Sequence, residues 1–98
     1  MTPDLLSLRD ALLPVSRRRT QRAQVKDIVL QDDLDHDGDP ILRILVIIAG
    51  SRSHLNPVQT LETTRRIRQD LLERNDPRFP VVTYISEADH RRLIDEAA

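Results

Sequence analysis

The strongest pattern along the chain is the aliphatic run at residues 41–49, which only Arg43 interrupts. Ile and Val dominate this run, and such a composition is typical of a β-strand. Because both faces of the strand would be apolar, we expect it to lie at the centre of a sheet and to be covered on both sides. One cover would be a helical layer, and the other a second helix or a second subunit.

Two weaker patterns predict further strands on either side of this run. Residues 25–31 contain Val25, Ile28, Val29 and Leu30, and they precede the central strand by one polar loop. Residues 79–85 form the third predicted strand. Pro80 stands near its start, where the missing N–H of proline is tolerated.

Helical spacing of apolar residues appears before the first strand. Thr2 and Pro3 are a typical helix start, and Leu5, Leu8 and Leu12 then recur three and four residues apart. Pro14 is expected to stop or kink this helix. Residues 15–23 are basic and polar, and the pattern leaves open whether they form a linker or another helical turn.

The main helix is predicted at residues 57–74. Asn56 would cap it, Pro57 would take the first helical position and Gln59 the capping-box position. The predicted inner stripe of this helix consists of Leu61, Thr64, Ile67 and Leu71. A last helix is predicted from residue 87 to the C-terminus, with Ser86 in the capping signal and Leu93 and Ile94 as apolar anchors.

The element order is therefore α-β-β-α-β-α, which predicts an α+β fold. We expect a small two-layer α/β sandwich with a three-stranded mixed sheet, similar to half of a ferredoxin-like fold, and with the main helix 57–74 across one face. Residues 1–98 would form a single domain, in which 1–23 is the N-terminal helix plus a basic linker and 25–98 is the ββαβα core. Three strands leave sheet edges exposed, so a dimer is expected.

Composition removes several classes of function. The chain of 98 residues has no cysteine, which excludes disulfides, thiolate metal sites and a cysteine nucleophile. Phe79 and Tyr84 are the only aromatic residues. No signal peptide is visible, and the longest apolar run is too short to span a bilayer, so we predict a cytoplasmic protein without a membrane partner.

The acidic run at residues 32–39 resembles part of a calcium-binding EF-hand loop. Asp33, Asp35, Asp37 and Gly38 match loop positions 1, 3, 5 and 6, but position 12, which needs a bidentate glutamate, is Ile44. Aspartate and glycine also suit a turn between two strands. We therefore predict a hairpin connection, and the alternative is a looser divalent-ion site at Asp33, Asp35 and Asp37.

No other motif supplies a catalytic set. Gly50 and Ser51 follow a strand and resemble the Gly-Ser signature of nucleotidyltransferases, a resemblance that implies an Asp-x-Asp pair on the next strand. Residues 81–85 contain no carboxylate. The three histidines have no ligand partner at helical or strand spacing. We predict no catalytic residue and no cofactor, and hence a protein that is not an enzyme.

A basic segment directly precedes the acidic run. It contains Arg17, Arg18, Arg19, Arg22 and Lys26 without an acidic residue among them. These side chains are the predicted interaction residues, because blocks of opposite charge can pair within or between chains. An alternative is that residues 17–26 contact nucleic acid, as in a small antitoxin-like regulator.

Taken together, these patterns predict a small non-enzymatic module that self-associates as a homodimer or binds a protein partner. Residues 41–74, a hydrophobic strand followed by an Asn-Pro-capped helix, resemble the cytoplasmic dimerisation domain of cation-efflux transporters. That resemblance implies a dimerisation role. The metal-binding histidines of the family are not reproduced in this chain.

Overall fold

Helices and strands alternate as predicted in a computed structural model that describes residues 5–19, 25–51 and 55–97. The order α-β-β-α-β-α confirms the α+β fold. The elements are α1 (Leu5–Arg19), β1 (Val25–Leu34), β2 (Pro40–Ile48), α2 (Pro57–Glu73), β3 (Phe79–Ser86) and α3 (Glu87–Ala97).

The sheet has the predicted mixed topology with β2 at its centre. β1 pairs with β2 in antiparallel fashion, and β3 pairs with β2 in parallel, so the strand order is β1-β2-β3. Leu45 of β2 lies opposite Val29 on one side and Thr83 on the other. β1 and β3 are therefore the two edge strands.

The hydrophobic core lies between one face of this sheet and the first two helices. Side chains alternate between faces along a strand, and those of Leu42, Ile44, Val46 and Ile48 on the core face of β2 are all buried. α1 and α2 close this face with their own buried side chains, which are Leu8, Leu12, Ile67 and Leu71.

Helix α1 continues through Pro14, so Pro14 does not stop the helix, which was one of the two predicted outcomes, a stop or a kink. Proline removes one helical hydrogen bond, but contacts beyond it hold the last turn in place. Ser16 is buried and its hydroxyl donates to the Leu12 carbonyl at 3.1 Å, while the Arg17 Nε donates to the Val25 carbonyl at 3.2 Å. Residues 15–19 are thus helical. The predicted start at residues 2–4 and residues 20–24 lie outside the described residues.

The acidic run is a hairpin connection, as predicted, but a shorter one. β1 extends to Leu34, so Asp32 and Asp33 belong to the strand. The turn is organised by Asp35, whose carboxylate accepts the backbone N–H groups of Asp37 and Asp39 at 2.9 Å each. Gly38 adopts φ of 85°, a left-handed conformation that suits glycine.

Helix α2 begins as predicted but is rotated about its axis. The Asn56 side chain accepts the N–H groups of Val58 and Gln59, which confirms the cap. Thr63, Ile67 and Leu71 are the buried residues, whereas Leu61 is 52% exposed. The core tolerates Thr63 because its hydroxyl donates to the Gln59 carbonyl at 2.9 Å. The prediction that Leu61 lines the inner stripe is therefore wrong.

The end of α2 turns the chain sharply back into the molecule. Asn75 adopts φ of 58°, and its N–H donates to the Leu72 carbonyl at 3.0 Å. The N–H of Asp76 donates to the Leu71 carbonyl at 2.9 Å. This pair of bonds is a Schellman motif. It places the Asp76 side chain in the interior, one residue before Pro77.

Helix α3 follows β3 without a connecting loop. Ser86 caps it as predicted, since its hydroxyl accepts the N–H of Asp89 at 3.1 Å. α3 contacts β3 and β2, yet none of residues 87–96 is buried. Leu93 and Ile94 are 54% and 55% exposed, so the prediction that they anchor the helix within the chain is wrong.

Candidate interaction surface

The outer edge of β1 is occupied by arginine side chains from α1. The Arg9 Nε donates to the Ile28 carbonyl and the Arg17 Nε to the Val25 carbonyl, both at 3.2 Å. Arg9 also forms an ion pair with Asp27 of the same strand. Charged side chains on an edge strand are a common means of preventing further strand pairing. The first half of β1 therefore has few free backbone groups to offer another strand.

The outer edge of β3 has the opposite character. Its eight residues include no charged side chain. Among the described residues, no side chain forms a hydrogen bond to the backbone of this strand. Phe79 is 49% exposed on one face, and Thr83, further along the same face, is also exposed. Within the part of the chain that the structure describes, β3 is thus an uncharged edge strand whose outward-facing N–H and C=O groups have no partner.

Helix α2 adds an apolar stripe directly beside this edge. The rotation of the helix leaves Val58, Leu61 and Leu72 at 64%, 52% and 58% exposure. Arg68 lies on the same stripe and stacks over the Phe79 ring, with its guanidinium carbon 4.8 Å from the ring centroid. Because Phe79 belongs to β3, this contact shows that the stripe faces the β3 edge. We call β3 and the stripe of Val58, Leu61, Arg65, Arg68 and Leu72 the β3 surface.

The face of the sheet away from the core is apolar but open towards its margins. Ile41 and Ile47 of β2 are buried on this face, whereas Val29 of β1 is 43% exposed. Arg43 is exposed between them, and its Nε donates to the Asp33 carboxylate at 2.7 Å. This pair lowers the pKa of Asp33 from its ordinary value. The polar pair interrupts the apolar face.

A buried ion cluster joins the first and last strands at the opposite end of β3 from α3. The Arg78 guanidinium donates to the Asp76 carboxylate through Nε at 2.9 Å and through its terminal nitrogen at 2.6 Å, and it also pairs with Asp32 of β1. Asp76 and Arg78 are 1% and 5% exposed. The hydrogen bonds from Arg78 hold the pKa of Asp76 below its ordinary value, against the effect of burial.

This cluster has no capacity left for a ligand. Asp32, Asp33, Pro77 and Arg78 line an open cleft, but the Arg78 guanidinium is already neutralised by two carboxylates. No pattern in the sequence indicated this cluster. The run Asn75-Asp76-Pro77 indicated only the end of a helix, and Arg78 and Asp32 are 46 residues apart. The cluster is a structural tie between the α2–β3 connection and β1.

Among the described side chains, the Tyr84 hydroxyl is the one buried polar group that has no hydrogen-bond partner. Burial raises the pKa of this phenol above its ordinary value of 10.0, and the neighbouring Thr63 hydroxyl opposes the shift. The approach of Thr63 falls short of hydrogen-bond geometry, and its own proton is donated to the Gln59 carbonyl. The Tyr84 hydroxyl therefore adds no chemistry at the β3 surface.

The predicted basic residues do not form one described patch. Arg17 donates to the backbone of β1, and Lys26 is an exposed residue of that strand. The side chains of Arg18 and Arg19 and the whole of Arg22 lie outside the described residues. Their contribution to an interaction stays a prediction.

The aspartates of the alternative ion site are engaged separately. Asp33 pairs with Arg43, Asp35 accepts two backbone N–H groups of the turn, and Asp37 lies 3.5 Å from the exposed His36. Within the part of the chain that the structure describes, no three His, Asp or Glu side chains are grouped so that they could hold a metal ion.

Neither a protein-family model nor a curated protein nor a solved structure matches this chain. None of the described helices combines the length and apolar composition needed to cross a lipid bilayer.

Proposed function

We propose that this chain is a non-enzymatic module that self-associates through the β3 surface. The observation that carries the proposal is the contrast between the two sheet edges. Arginines from α1 donate hydrogen bonds to backbone carbonyls in the first half of β1, whereas β3 is uncharged and lies beside exposed leucines of α2. An uncharged, apolar edge strand is the kind of edge to which another strand adds.

A second copy of β3 is the occupant that fits this edge. Two identical edge strands can pair in antiparallel fashion about a two-fold axis, which is the commonest symmetry of protein dimers. The result would be a continuous sheet of six strands. Residues directly opposite each other in an antiparallel pair point to the same face, so both helical layers would lie on the same side of the sheet.

This arrangement would bring the two α2 helices together above the joined edges. Leu61 and Leu72 are each about half exposed in one chain. Complete burial of a leucine side chain contributes about 1.5–3 kcal/mol, so covering the exposed half contributes about 1 kcal/mol each. With two chains, four leucines contribute, in addition to the backbone hydrogen bonds of the new strand pair.

The test is sedimentation velocity of the wild type and of two matched lysine variants. Thr83→Lys places a charge on the β3 edge, and Val29→Lys places one on the β1 edge. The two sites are matched because Val29 and Thr83 lie on either side of the same residue, Leu45. Both sites are exposed, so neither variant is expected to unfold the chain, and far-UV circular dichroism checks this. We expect dimers for the wild type and Val29→Lys, and monomers for Thr83→Lys.

A wild type that sediments as a monomer at high micromolar concentration would overturn the proposal. Equal loss of dimer in the two lysine variants would also contradict it, because the effect would then not be specific to β3.

A further inference from the structure

The residues of the β3 surface also indicate the register of the proposed dimer, that is, which residues of the two β3 strands face each other. We infer that the two-fold axis passes through Thr83, so that Phe79 of each chain lies beside Glu87 of the other. This inference rests on the proposed self-association and adds the positions that meet across the interface.

Side-chain alternation restricts the possible registers. Directly opposite residues must share a face, so an axis that relates β3 to its copy has to pass through a residue rather than between two residues. β3 spans Phe79–Ser86, and the two residues nearest its middle are Val82 and Thr83. These define the two registers that pair nearly the whole strand.

With the axis at Thr83, each residue meets a compatible partner. Thr83 faces its own copy, and Val82 faces the partner's Tyr84. Cross-strand pairs between threonines and between aromatic and β-branched residues are favourable. Pro80 faces the partner's Ser86 at the end of the ladder, where its missing N–H removes no central hydrogen bond.

Charge complementarity selects this register over the one centred on Val82. Arg68 stacks over Phe79 at one end of the strand and forms no ion pair with a described carboxylate. Glu87 follows the other end, and its only described ion pair is a loose, exposed one with Arg91 at 3.9 Å. An axis at Thr83 places the partner's Glu87 opposite Phe79 and so within reach of Arg68.

The two-fold symmetry produces this opposite-charge contact twice. With the axis at Val82, by contrast, Phe79 would face the partner's Ile85, and Glu87 would extend past the strand to a position opposite Pro77. That register leaves Arg68 without a carboxylate.

Mixing two charge-reversed variants tests the Arg68–Glu87 contact between chains. An Arg68→Glu homodimer contains two Glu–Glu contacts, and a Glu87→Arg homodimer contains two Arg–Arg contacts. A mixed dimer of one chain of each contains only opposite-charge contacts. We expect each variant alone to raise the dimer Kd by about tenfold, because it replaces two exposed opposite-charge contacts with two like-charge contacts.

The mixture of the two variants should regain dimers with a Kd close to that of the wild type, measured by sedimentation with one variant fluorescently labelled. If the charge changes acted only within their own chain, mixing the two variants would not restore the dimer. A wild type that dimerises while the mixture stays monomeric would overturn the register but leave self-association standing. A monomeric wild type would remove both.

Cysteine substitution provides a second test that does not depend on charge. The chain has no cysteine, so a single introduced thiol can only form an intermolecular disulfide with its own copy. Directly opposite residues in antiparallel strands have Cα atoms about 4.5–5.5 Å apart, which is within the range of a disulfide. We expect rapid, nearly complete cross-linking of Thr83→Cys under mild oxidation.

The matched controls are Val82→Cys, which reports the alternative register, and Val29→Cys on the other edge of the sheet. Both should cross-link slowly. Faster cross-linking of Val82→Cys than of Thr83→Cys would overturn the inferred register, and so would equal rates for all three variants.

Discussion

Replacing Arg78 with methionine tests whether the buried ion cluster stabilises the fold. The change leaves the Asp76 carboxylate, 1% exposed, without its cation and without the three hydrogen bonds that the guanidinium donates to it. Removing one partner of a buried ion pair costs about 3–5 kcal/mol. A domain of this size has a total stability of about 5–15 kcal/mol, so the variant should lose a large part of it.

Urea unfolding followed by far-UV circular dichroism measures this loss, because the chain has no tryptophan to report by fluorescence. A slope of about 2 kcal/mol per molar urea converts a cost of 4 kcal/mol into a midpoint shift of about 2 M. All variants should be compared at one protein concentration, since self-association adds to the apparent stability. Arg43→Met is the matched control, because its pair with Asp33 is exposed and should contribute little to stability.

The double variant Asp76→Asn/Arg78→Met tests whether the unpaired carboxylate causes the loss of stability in Arg78→Met. Removing the carboxylate together with its cation leaves no buried charge, and an amide at position 76 still accepts the N–H of residue 78. We expect the double variant to be more stable than Arg78→Met alone. A cost below about 1 kcal/mol for Arg78→Met, or equal costs for Arg78→Met and Arg43→Met, would refute the view that the cluster is a structural tie.

Three further measurements follow from the same geometry. Arg78 holds the pKa of Asp76 below its ordinary 3.8, so the contribution of this carboxylate to the free energy of unfolding should be complete above 3.8. It should be lost as the pH falls from 3.8 through the lowered pKa of the folded state, and Asp76→Asn should flatten this acid limb in pH-dependent urea titrations. Burial holds the pKa of Tyr84 above 10.0, so the free energy of unfolding should decline as the pH rises beyond 10.0. Tyr84→Phe should abolish that decline. The same variant should leave the thermal midpoint equal or higher, because it removes a buried hydroxyl that has no hydrogen-bond partner among the described residues. Asn75→Ala should lower stability by about 1 kcal/mol in thermal unfolding because φ is 58° there, whereas Asn75→Gly should leave it unchanged.

Local sequence patterns predicted the elements and their order. The aliphatic run that became β2 has few alternatives to a central strand. The Asn56 cap depends only on residues within one helical turn of it, so its geometry could be predicted without knowledge of the rest of the chain. The hairpin turn was predictable for the same reason, since Asp35 and Gly38 act on their own neighbours.

Features that depend on contacts between distant elements were not predictable. Leu61 and Thr63 both fit a helical apolar stripe, and the packing of α2 against the sheet decides which one is buried. The same packing leaves the α2 stripe of the β3 surface exposed, and the proposed self-association depends on that stripe. The continuation of α1 past Pro14 likewise depends on contacts with β1. The pairing of Arg78 with Asp32 joins residues that no short-range pattern relates.

The arginines on the outer edge of β1 have a consequence for the number of chains in the assembly. A protein with two open sheet edges can add copies at both ends without limit and grow into a ribbon. Arg9 and Arg17 cover the first half of one of these ends, so the proposed pairing at β3 would terminate after two chains. In the proposed dimer these two residues would limit the number of chains from outside the interface, and their joint replacement by alanine is expected to give larger assemblies, which sedimentation velocity would detect.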